Sequence, residues 1–204
     1  MELFFFKTTD YVNTKCIVSA CLILLLLSTS VGAVISQKAD PELRLLLKHA
    51  INDTQSFADR FEAEVWLLDM SKRLQKRVPN LSHEQRLTLL KLVHFEAMRT
   101  NLHPELVLAV IEVESNFDRW AISVAGAQGL MQIMPFWLDE IGRPGDNLFT
   151  PATNLRMGCT ILRYYLDKEK GNLSRALARY NGSLGRVKYP NKVFKALNRR
   201  WYRR

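Results

Sequence analysis

Apolar residues recur at helical spacing along most of the chain, and nowhere do they alternate with polar ones as a half-buried strand requires. Leu43, Leu46, Leu47, Ala50 and Ile51 form one stripe. Asp40-Pro41-Glu42 starts it: Asp is an N-cap, Pro fits the first turn, and the acids face the positive helix end. Phe57, Phe61, Val65, Leu68 and Leu74 form a second stripe from Thr54 to Arg77, which Pro79 stops. Ser82-His83-Glu84-Gln85 supplies a capping box for a third helix, which runs to Arg99. His103-Pro104-Glu105 opens a fourth, with Leu106, Val107, Val110 and Ile111 on its apolar side. The stretch 117–126 has loop composition, and 128–141 returns to helical periodicity broken by Pro135. Thr150-Pro151 then caps a long helix reaching Lys170, closed by Gly171. Residues 174–180 form a short helix stopped at Asn181-Gly182, and Pro190 begins a last, basic one. The pattern predicts an all-α domain from residue 82 onward, with 40–80 packed beside it.

The first forty residues follow a different rule. Cys16 to Leu27 is a mostly apolar run behind Lys7 and Lys15, and Val31-Gly32-Ala33 places small residues where a signal peptidase cuts. Cleavage after Ala33 is one reading. Continuation of the run through Ile35 reaches the roughly 20 residues that span a bilayer, so an uncleaved anchor is a second. Val18-Ser19-Ala20-Cys21, which fits a lipoprotein box by residue type but precedes the Leu-rich core, is a third. The expected organisation is 1–33 as signal peptide or membrane anchor, 34–81 as a helical N-terminal segment, and 82–204 as the main domain. Removal of the first segment leaves Cys159 as the only thiol, so no internal disulfide is expected. Met157-Gly158 and Ile161-Leu162 around it indicate a core cysteine.

The formal charge of +9 is unevenly distributed, with ten Lys or Arg and no acid from Gly171 to Arg204. Such a face attracts an anionic polymer or a phospholipid surface, or else simply keeps the protein soluble. No nucleic-acid partner is expected, because no binding motif accompanies the charge. His49, His83, His94 and His103 are scattered without metal-ligand spacing, so no metal and no cofactor is expected.

Steps of three and four from Val107 give Val110, Ile111 and then Glu114, so a carboxylate continues the inward stripe of the fourth helix. Burial there raises its pKa and lets it deliver a proton near neutral pH. The competing reading is a carboxylate held in an ion pair or capping Ser115 and Asn116. Glu112 points elsewhere and is read as solvated.

Three motifs accompany Glu114 in order: E-S-N-F at Glu114, G-A-Q-G-L-M-Q-I-M-P ending at Pro135 with Ser123 shortly before it, and A-R-Y-N-G at Ala178. This set resembles the soluble lytic transglycosylases, glycoside hydrolase family 23, whose fold is similar to goose-type lysozyme. The likeness covers about 94–189. It implies that Glu114 is the single catalytic acid/base and that Ser123 hydrogen-bonds near the scissile sugar. It further implies that Gln132 and Met134 line subsites, that Gly126, Gly129 and Leu130 shape the backbone around the substrate, and that Asn181 belongs to the sugar site. Tyr180 is implied to bond either the Glu114 carboxyl or an acetamido group. Arg179 and the longer Gly182-Ser183-Leu184-Gly185 turn depart from the family's A-Y-N-A-G pattern.

Two-carboxylate glycosidases hold their acids about 5 Å or about 6.5–9.5 Å apart. No second acid lies in the matched motifs; Asp118, Asp139 and Glu140 are the nearest. The resemblance therefore implies an exported peptidoglycan lytic transglycosylase that cuts between N-acetylmuramic acid and N-acetylglucosamine and forms 1,6-anhydromuramic acid. Its implied home is the periplasm or cell envelope, with glycan strands as partner and a membrane surface or envelope assembly as a further one. A lysozyme-type hydrolase of the same fold and a wall-binding protein are the alternatives. Phe117, Trp120, Phe136, Trp137 and Tyr189 are available to stack on sugar rings.

Overall fold

From residue 60 to residue 202, the part that the computed structural model describes, seven α-helices follow one another. They are α1 (Arg60–Arg77), α2 (His83–Arg99), α3 (Pro104–Glu114), α4 (Trp137–Ile141), α5 (Pro151–Lys168), α6 (Leu173–Tyr180) and α7 (Lys188–Ala196). A π-helical turn, Leu197–Trp201, closes the described chain. These residues belong to the compact unit Asp40–Arg204. The expected signal or anchor, the helix over 40–51 and the start of the helix over 54–77 lie outside the described residues. Among the described residues no helix is long and apolar enough to cross a membrane.

Local chemistry sets the helix ends. Ser82 caps α2, its hydroxyl accepting from the Gln85 amide at 3.1 Å while the Gln85 side chain returns to the Ser82 amide at 2.8 Å. Pro104 and Pro151 occupy first turns, where a missing N–H costs nothing. Gly171, at φ +82°, ends the α5 segment in a conformation that a β-carbon disfavours.

α3 is the axis of the fold. Every residue from Leu106 to Glu112 is buried, and α2, α7 and the π-helical turn all pack against it. A helix apolar on all sides belongs in a core rather than on a surface. α1 closes the same core with Leu67, Met70 and Leu74, each fully buried, and the Trp66 indole donates to Glu105 of α3 at 2.8 Å. The described part of the 34–81 segment therefore shares its core with the domain expected to begin at residue 82. Cys159 is buried in that core, and burial drives its thiol pKa far up.

One expected element is absent. The stretch 128–141 is not a helix: it runs in turns pinned by two isolated antiparallel bridges, Ile122 with Gln128 and Gln128 with Ile133, and only α4 is helical. The backbone explains it. Gly126, Gly129 and Gln132 have φ of +84°, +74° and +50°, which no right-handed helix accommodates.

Candidate active site

Glu114 is the last residue of α3, half-buried, at the negative end of the helix. Burial pushes its carboxyl up to about 7 from an ordinary 4.5, while the Tyr189 hydrogen bond and the Lys192 charge pull it down. Burial wins, so the group holds a proton at the lower edge of neutrality. The Tyr189 hydroxyl donates to Glu114 Oε1 at 2.6 Å. Burial and the neighbouring carboxyl hold the Tyr189 phenol well above its usual range, so it remains a donor.

For Tyr180, the expected bond to the Glu114 carboxyl is corrected here. Its hydroxyl gives its one proton to the Met131 carbonyl at 2.7 Å, and the phenol on Glu114 belongs to Tyr189, nine residues further on. Tyr189 had been grouped with sugar-stacking rings; it is buried and serves as a hydrogen-bond donor instead. Phe117 is likewise a core residue, its ring 5.6 Å from that of Trp201. Trp120 and Phe136 are exposed, and the Arg119 guanidinium lies 4.5 Å from the Trp120 ring centre.

Glu112 overturns its reading as a solvated carboxylate. Only 3% of its side chain is exposed. Arg77 Nε pairs with it across 3.0 Å, while Arg200 Nε donates to Oε2 at 2.7 Å and Trp201 Nε1 at 2.8 Å, joining α1, α3 and the π-helical turn. Arg73 adds a hydrogen bond to the Arg200 carbonyl at 2.7 Å. Water does not reach this part of α3, so Glu112 is satisfied by cations instead.

The turns after Glu114 are bolted to the helices. Ser115 Oγ donates to the Leu130 carbonyl at 2.7 Å, tying the end of α3 to the loop. Asn154, buried on α5, accepts from the Met131 amide at 2.8 Å and donates to the Gln128 and Leu148 carbonyls at 2.9 and 2.8 Å. The sequence reading did not single out Asn154. Its signal was an amide on the inward stripe of α5 beside Leu155 and Gly158. Gly129 must lack a side chain, since a β-carbon would stand 2.4 Å from both the Leu148 carbonyl and the Asn154 amide.

Gln132 spends its Nε2 on the Ala121 and Gly129 carbonyls, both at 3.1 Å, and so braces the loop. Ser123 is exposed, and its Oγ accepts from the Ala127 amide at 3.0 Å. Met134 is half-buried; Asn181 is exposed and ends α6. Among the described residues no hydrogen bond links Ser123, Met134 or Asn181 to Glu114. Asp118 is exposed and accepts from the Trp120 amide at 2.9 Å, while Asp139 and Glu140 lie exposed on α4.

These features define an all-helical protein with one inward carboxyl able to carry a proton near neutral pH, held by a phenol beside a rigid glycine-bearing loop. The chain belongs to the transglycosylase SLT domain family, whose model matches residues 91–202. It is 35% identical over 105 residues to a transglycosylase of Enterobacteria phage PRD1, covering 48% of this chain and 38% of that one. It is 29% identical over 126 residues to the membrane-bound lytic murein transglycosylase C of Yersinia enterocolitica, covering 54% and 35%. The chain thus spans little more than a third of the length of these curated relatives. An inactive mutant of the lytic transglycosylase Slt from Pseudomonas aeruginosa superposes with a TM-score of 0.44 at 21% identity, covering 78% of this chain and 34% of that one.

Proposed function

We propose that this protein is a peptidoglycan lytic transglycosylase in which Glu114 is the only catalytic carboxyl. The observation that carries the reading is the enclosure of that carboxyl beside Tyr189, which raises its pKa to about 7. Tyr189 engages Oε1, which leaves the proton on Oε2 to face the substrate. Oε2–H is given to the glycosidic oxygen as the bond from C1 of N-acetylmuramic acid breaks, and the departing N-acetylglucosamine end gains a hydroxyl. The 2-acetamido group steadies the cation at C1. The Glu114 carboxylate then takes the proton of the same sugar's C6 hydroxyl as O6 bonds to C1, closing a 1,6-anhydro ring and restoring the acid. No water is consumed, and no second carboxylate is required.

Tyr189 and Lys192 limit how far burial raises the pKa, which suits a group that must both give and recover a proton. The loop anchored by Asn154, Gln132 and Tyr180 forms a fixed wall for the sugars, with Ser123 and Asn181 exposed to meet them and Met134 at its edge. Trp120 and Phe136 offer exposed ring faces. Residues 1–33 deliver the chain to the cell envelope, as a cleaved leader or an anchor, where the glycan strands are.

The test is mass spectrometry of sugars released from purified sacculi by the protein and by Glu114→Gln. Anhydro ends from the parent alone support the reading. Reducing ends would mean a hydrolase with a second acid, and release by the Gln variant would remove Glu114 from the chemistry.

A further inference from the structure

The surface beside the cleft carries a second signal, which rests on the transglycosylase reading only for the identity of the polymer. Of the ten basic residues from Gly171 onward, Arg175 and Arg179 are engaged by Glu169 and Arg200 by Glu112. Arg186, Lys188, Lys192, Lys195 and Arg199 are all exposed, and none forms an ion pair with a described residue. Arg203 and Arg204 lie outside the described residues.

Lys188, Lys192, Lys195 and Arg199 follow at intervals of four, three and four, which places them on one face of α7 and its continuation. Tyr189, Val193 and Ala196, each one residue further on, fill the neighbouring, buried face. At about 1.5 Å per residue the row is roughly 16 Å long. Like charges at this spacing repel one another and weaken a helix, so the row works against local stability. It begins beside the acid: Tyr189, adjoining Lys188, holds Glu114, and Lys192 lies close enough for its charge to act on that carboxyl.

We propose that this row is a docking track for carboxylates on the peptide side chains of the glycan strand, holding the strand along α7 while Glu114 acts on it. The charge is complementary and repeats along a line, as the side chains of a polymer do. The position favours the polymer over a lipid surface. The row starts beside Glu114, so a strand held on it lies within reach of the acid, a placement that a lipid surface would not need.

The experiment measures binding to the full-length Glu114→Gln protein, so that failure of the cleavage reading leaves it intact. Lys188→Gln, Lys195→Gln and Arg199→Gln are combined, with Lys192 left in place because it acts on Glu114. The probes are peptide-bearing glycan strands, uncharged N-acetylglucosamine hexamer and phosphatidylglycerol vesicles. Affinity for the strands is expected to fall roughly fivefold to tenfold at low salt, as three exposed charge contacts warrant. The gap is expected to close near about 0.5 M salt, where exposed charges are screened within a few ångströms. Binding of the uncharged hexamer stays the same, and a variant carrying Lys188→Arg, Lys195→Arg and Arg199→Lys recovers strand binding. Unchanged strand affinity, an equal loss on the hexamer, or a loss confined to the vesicles would each overturn the proposal.

Discussion

Glu114→Gln should stabilise the folded protein, and only above a definite pH. The carboxyl has an ordinary pKa of 4.5 and is pushed to about 7 by burial. Between those values the folded protein holds a proton that the unfolded chain has released, so stability falls as pH rises. The stabilisation is fully present below about 4.5 and lost above about 7. At about 1.36 kcal/mol per pH unit the loss is about 3 kcal/mol. Glutamine keeps the acceptor for Tyr189 and never ionises, so the variant escapes this penalty. The two proteins should unfold together near pH 4 and separate as pH rises. Above pH 7 the variant should melt roughly 6–12 °C higher, at roughly 2–4 °C per kcal/mol for a chain of this size. Thermal unfolding of both proteins across pH 4 to 8.5 gives the comparison. A constant difference across that range, or a parent more stable than the variant at pH 8, would refute the assignment of a raised pKa and the acid role built on it.

Tyr189→Phe removes the hydrogen bond that lowers the Glu114 pKa, so the falling alkaline limb of the pH–rate profile should move to higher pH. Loss of a hydrogen bond to a charged group also lowers kcat, by about tenfold for ~1.5 kcal/mol; an unmoved limb would remove Tyr189 from the proton's control. Glu112→Gln should destabilise by about 2 kcal/mol, below the range for a fully buried pair because Arg77 and Arg200 are 40% and 39% exposed. Chemical denaturation read by tryptophan fluorescence checks it, and a loss under about 0.5 kcal/mol would mean the cluster contributes little. Gly129→Ala forces a β-carbon to 2.4 Å from the Leu148 carbonyl at a positive φ, so it should cost about 3 kcal/mol and most of the activity. A variant with parental melting temperature and turnover would show the loop to be more yielding than its hydrogen bonds indicate.

The helices were legible wherever their signals are local. The capping box at Ser82 and the first-turn prolines at Pro104 and Pro151 act within four residues of themselves, and the observed ends fall at or beside them. The segment 128–141 misled because its apolar residues have helical spacing while the backbone turns back on itself. Gly126 and Gly129 warned of this, but Gln132 adopts a positive φ without being glycine. It is held there by its own side chain on the Ala121 and Gly129 carbonyls, an arrangement no propensity encodes. Tyr180 and Tyr189 show the same limit at the site. The motif identifies a tyrosine near the carboxyl, but which phenol reaches it depends on how α7 packs against α3 and α6 against α5 and α7.

Glu112 and Glu114 show how the enclosure of one helix produces chemistry. They are two residues apart on α3, and the core that buries the helix leaves neither in open water. What each carboxyl is given in place of water differs. Glu112 receives two guanidinium groups and an indole N–H, brought from residues as far as 35 before it and 89 after it, and is satisfied as an anion. Glu114 receives one neutral phenol and the more distant charge of Lys192, which is too little to offset burial. The acid is therefore selected by what the surrounding helices supply, and the sequence of α3 by itself does not distinguish the two.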